Sequence, residues 1–115
     1  LEHRRQRQMC IRDRISAVDA AKSMQQEKVV LLDVREHSEL AICKIEEAIH
    51  IPLNEIPQRI ELLPRNVPLI IYCHHGMRSR SVVDYLRTLG FDNALNMTGG
   101  IHNWSMQIDP EMQKY

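Results

Sequence analysis

The chain has little of what marks the special classes of protein, and each lack excludes something. No apolar run approaches the roughly 20 residues that cross a bilayer, so no membrane-spanning helix is predicted. The first residues have no apolar stretch followed by a small-residue cleavage site, so no secretory signal is expected. Net charge is lacking too, because fifteen Lys and Arg balance fifteen Asp and Glu. Neither nucleic acid nor a membrane surface is therefore an expected partner. Cysteine is sparse and odd in number, at Cys10, Cys43 and Cys73. Three unrelated positions do not make a disulfide framework, and they fit a reducing compartment, so a cytoplasmic location is expected. Internal repeats and linkers are missing, and 115 residues suffice for one domain but not two.

What is present begins to be regular only after Arg14. Residues 1–14 hold five arginines and no sustained apolar periodicity. They read as a disordered tail, and Met9-Cys10-Ile11-Arg12-Asp13-Arg14 resembles the translation of a transposon-end sequencing adapter. The segment is accordingly read as a sequencing or assembly artefact and given no function. The domain is expected over 15–109, with 110–115 a C-terminal tail. Ser16 is placed to cap a helix carrying Val18, Ala20, Ala21 and Met24 and ending near Gln26. Val29-Val30-Leu31-Leu32, Ala48-Ile49-His50-Ile51, Leu69-Ile70-Ile71-Tyr72 and Ala94-Leu95-Asn96-Met97 are short apolar runs that suit buried strands. Between them come helical stretches at 36–42, 53–63 and 79–89, the second blemished by Pro57, and a last short helix around Trp104. Strands alternating with helices predict an α/β fold with a parallel sheet covered on both faces.

In open parallel sheets, sites form beyond the carboxyl ends of strands. Two polar stretches fall there: Asp33 to Arg35, and Cys73-His74-His75-Gly76-Met77-Arg78. In the second, Gly76 permits positive φ and lets successive backbone N–H groups face the loop centre. The helix starting near Ser79 adds roughly half a positive charge at its N-terminus, and Arg78 adds a whole one. Such a cradle, spanning His74, His75, Gly76, Met77, Arg78 and Ser79, stabilises an anion. It is expected to lower the pKa of Cys73 and make it a nucleophilic thiolate. Ser79 is expected to act chiefly as the helix cap, and Met77 to shield the pocket rim. No metal site is expected, since three consecutive residues, Cys73, His74 and His75, cannot readily converge on one tetrahedral ion.

Asp33-Val34-Arg35, Glu39, Ala48, Ile51-Pro52, Tyr72-Cys73-His74-His75-Gly76-Met77-Arg78-Ser79, Leu86, Gly90-Phe91, Gly99-Gly100 and Trp104 together resemble a rhodanese domain, from about Ile15 to Asp109. The resemblance implies a rhodanese-like fold with five parallel strands and helices on both faces. It also implies a sulfurtransferase without a cofactor. Cys73 would take a sulfane sulfur from thiosulfate or a persulfide donor, hold it as a covalent persulfide, and pass it to a thiol, cyanide or protein acceptor. Asp33 and Arg35 would support the loop from the neighbouring strand end, with Arg35 pairing to Glu36 or Glu39. Related phosphatases and arsenate reductases have five residues between Cys and Arg, whereas four stand here, which disfavours an oxyanion-sized cradle. A non-catalytic binding module is the other alternative, disfavoured because Cys73 and Gly76 are both kept. The segment Cys43-Lys44-Ile45-Glu46-Glu47-Ala48 departs from the family's usual Gly-His-Ile-x-Gly-Ala, so its turn must be built differently.

Overall fold

The computed structural model describes residues 13–115. In chain order it contains β1 (Arg14–Ile15), α1 (Ala17–Gln26), β2 (Val30–Asp33), α2 (His37–Leu40), β3 (Ile49–His50), a 3-10 helix (Leu53–Leu62), β4 (Leu69–Tyr72), α3 (Met77–Thr88), β5 (Ala94–Met97) and α4 (Gly100–Gln107). The five strands form one parallel sheet in the order β1-β5-β4-β2-β3. No helix among the described residues is long and apolar enough to cross a membrane.

Strand β4 sits at the centre because all four of its residues are apolar enough to be buried on both faces. Successive side chains of a strand alternate between faces. Leu69 and Ile71 pack with Val82, Val83 and Leu86 of α3 and with Ile56 of the 3-10 helix. Ile70 and Tyr72 pack on the other face with Ala17 and Ala20 of α1 and with Ile101 and Trp104 of α4. Trp104 is thus a packing residue. The Ser16 cap forms as expected, with the Asp19 N–H donating to its Oγ at 3.0 Å.

Three departures from the sequence reading have physical causes. The first is β1, which continues the sheet past β5: the Asn96 N–H donates to the Asp13 carbonyl, and the Thr98 N–H to the Ile15 carbonyl, both at 2.9 Å. Asp13 and Arg14 therefore belong to the sheet edge and not to a tail. Strand pairing uses backbone groups and is blind to the polar side chains that made this stretch look like tail. The rest of the tail reading, residues 1–12, lies outside the described residues. Second, 53–62 winds as 3-10 helix with a break at Arg59 (φ −124°, ψ 22°), as Pro57 lacks the N–H an α-helix needs there. Third, α3 begins at Met77, because Gly76 at φ 105° makes the entry turn. The turn at 45–48 is built differently, as its missing glycines require: it closes with the Ala48 N–H on the Ile45 carbonyl at 3.0 Å and needs no positive φ.

Candidate active site

Cys73 follows β4 directly, and the central position of that strand leaves it 1% exposed. Its Sγ accepts the Gly76 N–H at 3.1 Å and the Ser79 N–H at 3.4 Å, with the Ser79 hydroxyl at 3.5 Å. Burial pushes the thiol pKa up, but the Ser79 hydroxyl and the N–H groups of Ser79, Gly76 and Arg78 outweigh it. The net shift is downward, towards a thiolate. Ser79 is a donor to sulfur in the first turn of α3, while Gly76 occupies the capping position expected of it. The single proton of its hydroxyl is shared with Asn96 Oδ1, and Asn96 Nδ2 in turn donates to the Gly76 carbonyl at 3.2 Å. Asn96 was a legible signal, a polar residue inside an otherwise apolar strand.

The far side of the loop is held by α4. Its Ile101 and His102 N–H groups donate to the Cys73 and His74 carbonyls at 2.8 and 3.0 Å. The peptide planes are trans, so the His74 and His75 N–H groups point away from α4. This contact requires Gly100, where a Cβ would lie 2.3 Å from the Cys73 carbonyl oxygen. The carbonyl side of β4 and the start of α4 therefore touch backbone to backbone.

Arg78 is not directed at Sγ. It forms a two-pronged ion pair with Glu39 of α2 at 2.7 and 2.8 Å. Arg35, fully buried, pairs with Asp33 at 2.8 Å and donates to the Cys43 carbonyl at 2.8 Å. Arg35 thus meets the carboxylate on its own strand end instead of the side chain of Glu36 or Glu39, because Asp33 is buried beside it. The two ion pairs are joined by Tyr115, whose hydroxyl accepts from Arg35 and donates to Glu39, each at 2.8 Å. Burial pushes that hydroxyl up to about 12, so it stays protonated and can donate. Asp33 and Arg35 consequently reach the Cys loop through Tyr115, Glu39 and Arg78. The 110–115 segment is part of the site's framework at its last residue.

The Tyr115 ring also stacks on His74, with centroids 3.8 Å apart and planes 8° from parallel. His75 and, from α4, His102 complete a group of three imidazoles beside the loop. Burial lowers the His74 pKa, and the neighbouring His75 lowers it further. Met77, the first residue of α3, is 80% exposed. Sequence reasoning missed Tyr115 and His102, which lie far along the chain from the Cys loop.

The profile of the rhodanese-like domain family matches residues 16–107. Among curated proteins, the chain is 36% identical over 85 residues to the putative sulfurtransferase YtwF of Bacillus subtilis, covering 74% of this chain and 82% of that protein. It is 30% identical over 91 residues to the thiosulfate sulfurtransferase GlpE of Tolumonas auensis, covering 79% of this chain and 86% of that one. Among solved structures, a rhodanese-like domain protein from Staphylococcus aureus superposes with TM-score 0.77 at 31% identity, over 90% of this chain and 98% of its own. A rhodanese-related protein from Thermoplasma volcanium gives TM-score 0.76 at 33% identity, over 83% and 92%.

Proposed function

Because the chain belongs to the rhodanese-like domain family, we propose that it is a sulfurtransferase in which Cys73 carries the sulfur as a persulfide. The observation that supports this most is the buried Sγ of Cys73, held by the Gly76 and Ser79 N–H groups at the start of α3. Those donors favour the thiolate, and a thiolate attacks a sulfane sulfur in line with its S–S or S–SO3 bond. With thiosulfate as donor, the Cys73 S–S bond forms as sulfite leaves with the electron pair. With a protein persulfide, a thiolate leaves instead. The outer sulfur of Cys73 is then an anion that the loop's N–H groups solvate. An acceptor thiolate or cyanide attacks that outer sulfur, and the Cys73 thiolate is regenerated. No cofactor enters either step.

Arg78 bears on the donor. Its charge is met by Glu39, so the attraction for an anionic donor comes from the backbone and the start of α3 more than from this guanidinium. A protein persulfide, which brings its own contacts, is accordingly as well suited as thiosulfate.

Intact-mass spectrometry tests the proposal. The protein, reduced and then incubated with thiosulfate or with a low-molecular-weight persulfide, is expected to gain one sulfur atom that is lost on adding cyanide. Cys73→Ser is expected to gain none. A wild-type mass unchanged by both donors would sink the sulfurtransferase reading, and uptake by one donor alone names the donor class.

A further inference from the structure

We propose that His74, His75 and His102 form a binding site for one divalent transition-metal ion of the zinc class, with an open fourth position, beside the Cys73 loop. Each of the three side chains offers a ring nitrogen, and these atoms all lie within 4.8 Å of one another. Nitrogens around a tetrahedral zinc, at Zn–N of about 2.0–2.1 Å, stand about 3.3–3.4 Å apart. Small side-chain rotations therefore close the gap. The centroids are 3.9 Å apart for His74 and His75, 5.1 Å for His75 and His102, and 6.3 Å for His74 and His102.

The loop and the start of α4 are also held together, and the His74 ring is oriented, independently of any ion. The His102 N–H donates to the His74 carbonyl at 3.0 Å, which fixes the start of α4 against the loop. Gly100 admits that approach. Stacking on Tyr115 sets the plane of the His74 ring. Ligands already oriented by outer contacts bind metal without the ordering cost a flexible set would bear. His75 is exposed, which gives an ion a way in.

The donor set selects the ion. Three imidazoles with no carboxylate suit zinc, copper or nickel and not magnesium or calcium, which take oxygen. Three protein ligands leave a fourth position for water or an incoming group, the arrangement of open zinc sites. Cys73 Sγ is not that fourth ligand, because it is turned into the loop onto the Gly76 and Ser79 N–H groups. The site is thus distinct from the thiolate, and it stands whether or not Cys73 carries sulfur.

Titration of the full chain with zinc chloride, followed by calorimetry in a non-chelating buffer with a phosphine reductant, tests this. One ion per chain is expected, and Cys73→Ser is expected to bind it equally well. His75→Ala and His102→Ala are each expected to weaken binding by about tenfold or more. Cobalt(II) is expected to give visible bands of a nitrogen-ligated ion without a thiolate charge-transfer band. Binding unchanged in both histidine variants, binding lost in Cys73→Ser, or a thiolate band with cobalt would each overturn the proposal. If His102→Ala fails to fold, His75→Ala decides, since that side chain is exposed. Sulfur uptake by Cys73 is a separate measurement, so failure of one reading does not touch the other.

Discussion

At Cys73 two effects of opposite sign meet. Removing a thiolate from water raises its pKa, while each N–H or O–H aimed at Sγ lowers it, and here the donors win. Ser79 contributes two of them, its hydroxyl and its N–H. Ser79→Ala removes the hydroxyl and keeps the N–H. Its Cys73 is expected to titrate at higher pH than in wild type and to react more slowly near neutral pH. The pH profile of alkylation by iodoacetamide measures this, and an unmoved profile would assign the shift to the backbone alone. Arg35 is the other residue whose surroundings dictate an outcome. With Asp33 buried at its side, Arg35→Met leaves a buried carboxylate unpaired and is expected to cost about 3–5 kcal/mol in chemical denaturation.

Between elements, α4 meets the Cys loop backbone to backbone. Gly100→Ala puts a methyl group 2.3 Å from the Cys73 carbonyl oxygen, so α4 or the loop must shift. A loss of about 1–3 kcal/mol is expected, with slower alkylation of Cys73 as the loop is displaced. The link between α2 and α3 is electrostatic. The bonds from Arg78 hold the Glu39 pKa down to about 2 from an ordinary 4.5; burial opposes them, and the Tyr115 hydroxyl and Glu36 N–H assist. A carboxyl depressed on folding stabilises the fold above its unfolded value, and that stabilisation is lost as pH falls through the folded value. This contribution is therefore complete above about pH 5 and disappears between 4.5 and 2. Arg78 is 37% exposed, so screening keeps the gain to about 1 kcal/mol or less. Unfolding curves across that window are expected to be flatter for Glu39→Gln than for wild type.

For the whole molecule, the sheet extends one strand further towards the N-terminus than composition suggests. A chain beginning at Asp13 keeps the bonds that Asn96 and Thr98 make to the edge, and one beginning at Ile15 loses the Asp13 carbonyl and the Arg14 pairing. The shorter chain is expected to be less stable by about 1 kcal/mol, near the net worth of one backbone hydrogen bond. Equal thermal midpoints for the two truncations would contradict this.

The amino-acid sequence by itself determined the local features. The apolar run Leu69 to Tyr72 specifies a doubly buried strand, Gly76 permits the positive φ on which the Cys loop turns, and Ser16 caps α1. Each depends on residues within a few positions of one another, where backbone preference and apolar period act directly. Only the tertiary structure decided which charges meet. Arg78 found Glu39, Arg35 found Asp33, and Tyr115 joined the two pairs. His102 came to lie beside His74 and His75. Those partnerships follow from β2 lying next to β4 and from α4 packing on the end of the sheet. Adjacency of that kind is set by how the whole core closes, not by any short stretch of chain.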